Sequence, residues 1–155
     1  MRFFDRIVDI AAFLSALILL FMTFILCWDV ASRFFLGYGI GWALEVVEYG
    51  LLWFTLLGAA WVLRHERHVK VDILLYRFSP DWRRRFNVIT SWLASAVFFV
   101  VAYASLRLVL NYIHSGEKLP TLVMPPKYIP YFVIPVGSLL LAIQLIIRGW
   151  KSFRR

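Results

Sequence analysis

Four stretches free of charged side chains dominate the chain: Ile10–Trp28, Tyr49–Leu63, Phe86–Leu106 and Tyr128–Ile147, of 19, 15, 21 and 20 residues. A helix needs about 20 apolar residues to cross the hydrocarbon core of a bilayer. The first, third and fourth stretches meet that length as they stand. The second meets it when extended back to Trp42, which brings Glu45 and Glu48 into its start. Helices of a soluble bundle carry polar stripes at helical spacing. These stretches are apolar all round, in a chain that is 62% hydrophobic. The pattern predicts an all-α membrane protein, one four-helix domain over 1–155, with transmembrane helices at about 8–29, 42–63, 84–107 and 127–148.

The 17 Lys and Arg residues set the expected orientation. Arg2 and Arg6 precede the first span. Arg64, Arg67, Lys70, Arg77, Arg83, Arg84 and Arg85 fall between spans two and three, and Arg148, Lys151, Arg154 and Arg155 follow the fourth. Only Arg33, Arg107, Lys118 and Lys127 lie toward the other side. Cytoplasmic flanks carry the Lys/Arg excess, so both termini are expected in the cytoplasm. The net charge of +8 then marks the cytoplasmic face and its contact with anionic membrane lipids, not a nucleic-acid partner. The first stretch is longer than the apolar core of a signal peptide. Phe24-Ile25-Leu26 before Cys27 also lacks the small residues of a lipoprotein cleavage site, so the span is expected to be a retained anchor. Cys27 is the only cysteine, which excludes an internal disulfide and dithiol chemistry.

Between spans two and three, Val71, Leu74, Leu75 and Phe78 share one helical face, with Lys70 and Arg77 off it. This predicts a short interfacial amphipathic helix at about 70–79. Ser79-Pro80-Asp81 reads as cap, first helical residue and first-turn acid, so span three should begin at Pro80. Its apolar pattern runs past Arg107 to Ile113. A helix over 80–113 would be about 50 Å long, so it must tilt, project or break near Arg107. Met124-Pro125-Pro126-Lys127 predicts an extended approach to span four. Pro135, which has no amide, should kink that span in its outer half. Trp28, Trp42, Trp61, Tyr128, Tyr131 and Trp150 sit where interfacial aromatic belts are found.

Ionisable residues within spans are expensive and suggest function. Asp29 and Arg33, at i and i+4, close span one; Glu45 and Glu48, at i and i+3, open span two on the same side. They could line an ion or substrate site. The simpler expectation is a clamp of Arg33 on Glu45 or Glu48, each near the helix end whose dipole favours it. His65, His68 and Asp72 have a spacing that metal sites can use, but they lie at the cytoplasmic edge. Buried haem ligation needs histidines inside the bundle, and none of the three histidines lies within an uncharged stretch. Gly58-Ala59-Ala60 makes a flat patch that another helix can approach. No catalytic constellation, metal set or cofactor motif emerges, and the expectation is a non-enzymatic subunit that works with a partner.

Several short patterns recur in order: Arg33-Phe34, Trp42-Ala43-Leu44-Glu45, Leu57-Gly58-Ala59-Ala60, Arg64, and His68-Val69-Lys70-Val71-Asp72. Met124-Pro125 and Ile134-Pro135-Val136-Gly137 follow. With them the chain, over about 5–150, resembles the small membrane subunit of tripartite ATP-independent periplasmic (TRAP) transporters. Family members often carry two adjacent acids after the Trp; here Leu44 precedes Glu45, and the second acid is Glu48. The resemblance implies a bacterial inner-membrane scaffold with no cofactor, partnered by a large multi-span permease subunit and a periplasmic substrate-binding protein. It also implies uptake of organic acids driven by an ion gradient, usually sodium. The structural and partner-contact candidates are Arg33, Trp42, Glu45, Glu48, Gly58, Ala59, Arg64, His68, Asp72, Pro125 and Pro135. Two other classes fit less well. An autonomous four-helix exporter wants a mid-span carboxylate in helix one, which Ile10–Trp28 lacks. A haem or quinone redox subunit wants buried histidines.

Overall fold

A computed structural model describes residues 2–65 and 80–153. Its elements are α1 (Arg2–Leu36), α2 (Ala43–His65), α3 (Pro80–Ser115), the single turn α4 (Tyr128–Tyr131) and α5 (Val133–Phe153). The described residues contain no strand, only an isolated bridge between Lys118 and Pro126. Four helices are long and apolar enough to cross a membrane: Phe4–Leu36, Ala43–His65, Val88–Ser115 and Tyr128–Trp150. The expected interfacial helix at 70–79, with His68 and Asp72, lies outside the described residues.

Helix ends follow local chemistry. Asp5 stands in the first turn of α1 and Arg33 in its last, each matched to the local sign of the helix dipole. Gly37, at φ 77°, stops α1 in the left-handed conformation that glycine accepts without strain. Gly116, at φ 63°, does the same after α3, and its amide donates to the Tyr112 carbonyl at 3.1 Å. Helix α3 begins at Pro80 as expected and runs unbroken through Arg107 to Ser115, 36 residues or about 54 Å. Of the three outcomes expected for a helix of this length, a break at Arg107 does not occur. The fourth span is divided at Phe132 into α4 and α5, in the half of the span where Pro135 is expected to act, although Phe132 itself keeps helical angles, φ −59° and ψ −29°. Pro135 has no amide to donate one turn back, so the Tyr131 carbonyl lacks its helical partner and the discontinuity falls before the proline.

The four long helices stand in a row: α1 packs on α2, α2 on α5, and α5 on α3. Val8, Ala60 and Leu141 form one buried cluster, against which Phe98 and Leu63 pack; Ala11, Leu57 and Val133 form a second. Leu141 beside Ala60, and Gly137 beside Leu56, show that α5 runs parallel to α2. The C-terminal part of α5 therefore lies at the same end of the bundle as the N-terminal part of α1. Close approach depends on small residues. A Cβ on Gly137 would stand 2.6 Å from Leu56 Cβ and 3.2 Å from its carbonyl oxygen. One on Gly58 would stand 2.9 Å from Ser15 Oγ. Large apolar side chains cover much of the exterior, including Phe13, Leu20 and Phe24 on α1 and Leu93 and Val100 on α3, as a lipid-facing surface requires.

Candidate functional site

The polar groups gather at the two ends of the bundle. At one end lie the connections 37–42 and 116–127. Here the side chain of Asp29 is only 5% exposed. It accepts hydrogen bonds from Arg33 Nε at 3.0 Å and from the Ile40 amide at 2.6 Å, and Arg33 Nη2 lies 2.9 Å away. The guanidinium occupies the space that a side chain at Gly39 would need, since a Cβ there would meet Arg33 Nε at 2.6 Å. Asp29 thus ties the last turns of α1 to the chain that leads into α2.

Glu45 makes a second tie. Its carboxylate accepts the amides of Leu122 at 2.6 Å and Val123 at 3.2 Å, and nearby the Tyr49 hydroxyl lies 3.4 Å from Thr121 Oγ1. The 116–127 connection folds back on itself: the Leu119 amide donates to the Pro125 carbonyl and the Lys127 amide to the Glu117 carbonyl, both at 3.0 Å. Met124 takes φ 47° at its tip. Lys127 Nζ pairs with Glu117 at 2.6 Å and lies over the Tyr112 ring. The bond to Glu117 favours the charged ammonium and holds the Lys127 pKa above its ordinary 10.5.

The expected clamp between Arg33 and Glu45 or Glu48 is therefore not what these side chains form. Arg33 and Asp29 sit one helical turn apart on the same face, within reach of each other before any neighbouring helix is involved. Glu45 is taken by the two amides of the 121–123 turn, and Glu48 points into the exposed surface. Trp42 is also exposed, at the rim where α2 begins.

At the opposite end, Arg64 near the close of α2 reaches the start of α1. Its Nη1 donates to the Asp5 carbonyl at 2.8 Å, and its Nη2 pairs with the Asp9 carboxylate. Asp5 and Asp9 escaped the sequence reading. Their i, i+4 spacing opposite a basic helix end was the available signal. His65 stacks on Trp61 and bonds its carbonyl at 3.0 Å.

Between the two ends, hydroxyls bind helices together. Ser15 donates to the Phe54 carbonyl at 2.9 Å, and Ser95 to the Ala142 carbonyl at 3.0 Å. Thr23 and Ser105 instead bond back to their own helices. Gly58 and Ala59 face neighbours within this chain, Gly58 against Ser15 and Ala59 against the Val8–Ala60–Leu141 cluster. Pro135 is buried beside α3, and Pro125 supplies a loop carbonyl. In this arrangement carboxylates, two arginines and hydroxyls fasten helix to helix and helix to loop.

Residues 22–155 match the family described as tripartite ATP-independent periplasmic transporters, DctQ component. The chain belongs to this family. Among relatives of this DctQ chain, the ectoine TRAP transporter small permease protein TeaB of Halomonas elongata is 29% identical over 124 residues, covering 80% of this chain and 64% of TeaB. The C4-dicarboxylate TRAP transporter small permease protein DctQ of Rhodobacter capsulatus is 30% identical over 111 residues, 71% of this chain and 48% of the relative. The isethionate TRAP transporter permease protein DctMQ of Oleidesulfovibrio alaskensis is 29% identical over 110 residues, 68% of this chain but 16% of that much longer protein. The chain thus spans about half to two thirds of the length of the two small permease proteins. The family expected from the Arg33-Phe34 to Gly137 patterns is the one found.

Proposed function

We propose that this chain is the small membrane subunit of a TRAP-type uptake system in the bacterial inner membrane. It acts as a rigid brace for a large multi-span permease subunit. Both termini face the cytoplasm, as the distribution of Lys and Arg supports. The permease and a periplasmic substrate-binding protein select an organic acid, and an ion gradient, sodium in this reading, drives its uptake. The chain itself performs no chemical reaction.

The observation that carries this reading is how the polar groups inside the DctQ fold are used. Ser15 and Ser95 bond helix to helix, Asp29 and Glu45 hold main-chain amides, and Arg64 joins α1 to α2. A transport pathway needs polar groups turned toward a solute, whereas these are turned toward their own chain. The DctMQ relative, in which a matching stretch is part of a far longer permease protein, supports a lasting association with a large partner.

Reconstitution into liposomes tests the proposal. With a sodium gradient, a permease, a binding protein and this chain, an organic acid should accumulate. Leaving out this chain should abolish uptake, and this chain without the permease should transport nothing. Uptake by this chain alone, or undiminished uptake in its absence, would overturn the brace.

A further inference from the structure

A cation on the apolar body of the protein has no anion among the described residues. Arg107 lies within the third span, exposed, with its guanidinium carbon 4.9 Å from the centre of the Tyr103 ring. Among the described residues no carboxylate pairs with it: Asp29 holds Arg33, Asp5 and Asp9 flank Arg64, and Glu117 holds Lys127. The nearby sequence cannot supply one either. Residues 82–116 and 118–155 contain neither Asp nor Glu. The Tyr112 and Tyr131 rings, 5.7 Å apart, mark an aromatic level where α3 nears its end and α4 closes. Arg107 lies five residues inward of Tyr112, about 7.5 Å along the helix.

Beside it runs an apolar groove of about 350 Å³ between α3 and α5. Phe99, Tyr103 and Leu106 form one wall, and Phe132, Val136 and Leu139 the other. Ala102 and Pro135, both buried, form its floor. The small side chain of Ala102 and the ring of Pro135 leave this space between the helices. Its lining on α3 ends at Leu106, the residue before Arg107, and its walls are exposed.

We propose that this groove binds one phospholipid of the outer leaflet, with an acyl chain along the groove and the phosphate on Arg107. The charge fits. A guanidinium within a span needs an anion or a route to the interface, and its fork of donors matches a phosphate in two-point geometry. The guanidinium lies over the ring of Tyr103, itself a wall residue of the groove, which ties the charge to that wall. A lipid supplies the phosphate and the apolar chain in one molecule, at a depth where both are present. The leaflet rests on the orientation proposed above, with both termini cytoplasmic; the site does not depend on the brace function, because a lipid can hold the α3–α5 face whether or not a permease binds elsewhere.

Native mass spectrometry of the full chain, purified in mild detergent and stripped of lipid, tests this. The probes are phosphatidylglycerol and a diacylglycerol of matched chains. The wild type should bind one phosphatidylglycerol, and the diacylglycerol about tenfold or more weakly. Arg107→Ala should lower phosphatidylglycerol binding by a similar factor, Arg107→Lys should retain part of it, and Ala102→Leu should lower it by filling the floor. Circular dichroism confirms that each variant is folded; the two probes on the wild type decide the matter even if a variant is not. Equal binding of the two probes, or Arg107→Ala binding like wild type, would overturn the site. So would a photo-reactive group at Tyr103 that, in native membranes, captures a protein helix and no lipid.

Discussion

The Glu45 carboxylate accepts the Leu122 amide at 2.6 Å across 77 residues of sequence. A side chain in the first turn of α2 thereby fixes a loop that begins after α3. Glu45→Ala should release that loop while leaving the four helices intact. Amide hydrogen exchange at Leu122 and Val123 should become faster, with exchange in the middle of α2 unchanged. Unchanged protection at both amides would show that the loop holds itself through Glu117 and Lys127.

Arg33 and Asp29 should behave as a coupled pair. In a double-mutant cycle on thermal stability, Arg33→Ala should cost little once Asp29→Asn is present. Arg33→Ala and Glu45→Gln should be additive, because the two residues share no partner. The exchange Arg33→Glu with Glu45→Arg should give no rescue. Asp29→Asn should be the more damaging single change, since Asp29 also holds the Ile40 amide.

Gly137 permits α5 to touch the backbone of α2. Gly137→Leu should destabilise the subunit by about 1–3 kcal/mol in detergent unfolding, the usual range for overpacking. Leu139→Ala, on an exposed face of the same helix, should cost less. Gly58→Leu should act on the α1–α2 contact in the same way by displacing the Ser15 hydroxyl from Phe54. A Gly137→Leu variant as stable as wild type would mean that the two helices can separate freely.

Lys127 gives a pH dependence with a definite sign. Its pKa is raised on folding by Glu117, so its contribution to stability is complete below the unfolded value and fades as pH rises through the folded one. The ordinary value is 10.5, so the tether should persist through neutral pH and fail only in strong alkali. In a side-chain NMR titration, Glu117→Gln should move the Lys127 transition down toward 10.5. A transition unchanged by that substitution would exclude the pairing.

The spans could be read from sequence because bilayer thickness turns apolar length into a structural statement. Pro80 marked the start of α3 for an equally local reason: a proline belongs in a helix's first turn. The contacts of the site were harder. Glu45 and Asp29 both bind main-chain amides, and every residue has one, so nothing in Leu122 or Ile40 advertises the partner. Arg33 had acids on two helices within plausible reach, and the same-helix partner prevailed. Gly58 announced that something approaches closely without saying whether the neighbour is this chain or another. For Pro135 the expected half of the span holds the discontinuity, and the exact residue falls earlier than the proline because the bond a proline removes lies one turn before it.

The parallel course of α2 and α5 has a practical corollary. Since the start of α1 and the finish of α5 occupy one end of the bundle, tags on either terminus share a compartment. A pH-sensitive fluorophore attached at either terminus should report the same medium, and one inserted at Gly116 the opposite medium. Any protein joined covalently to this chain, ahead of it or behind it, must therefore begin its own path through the bilayer from that single side.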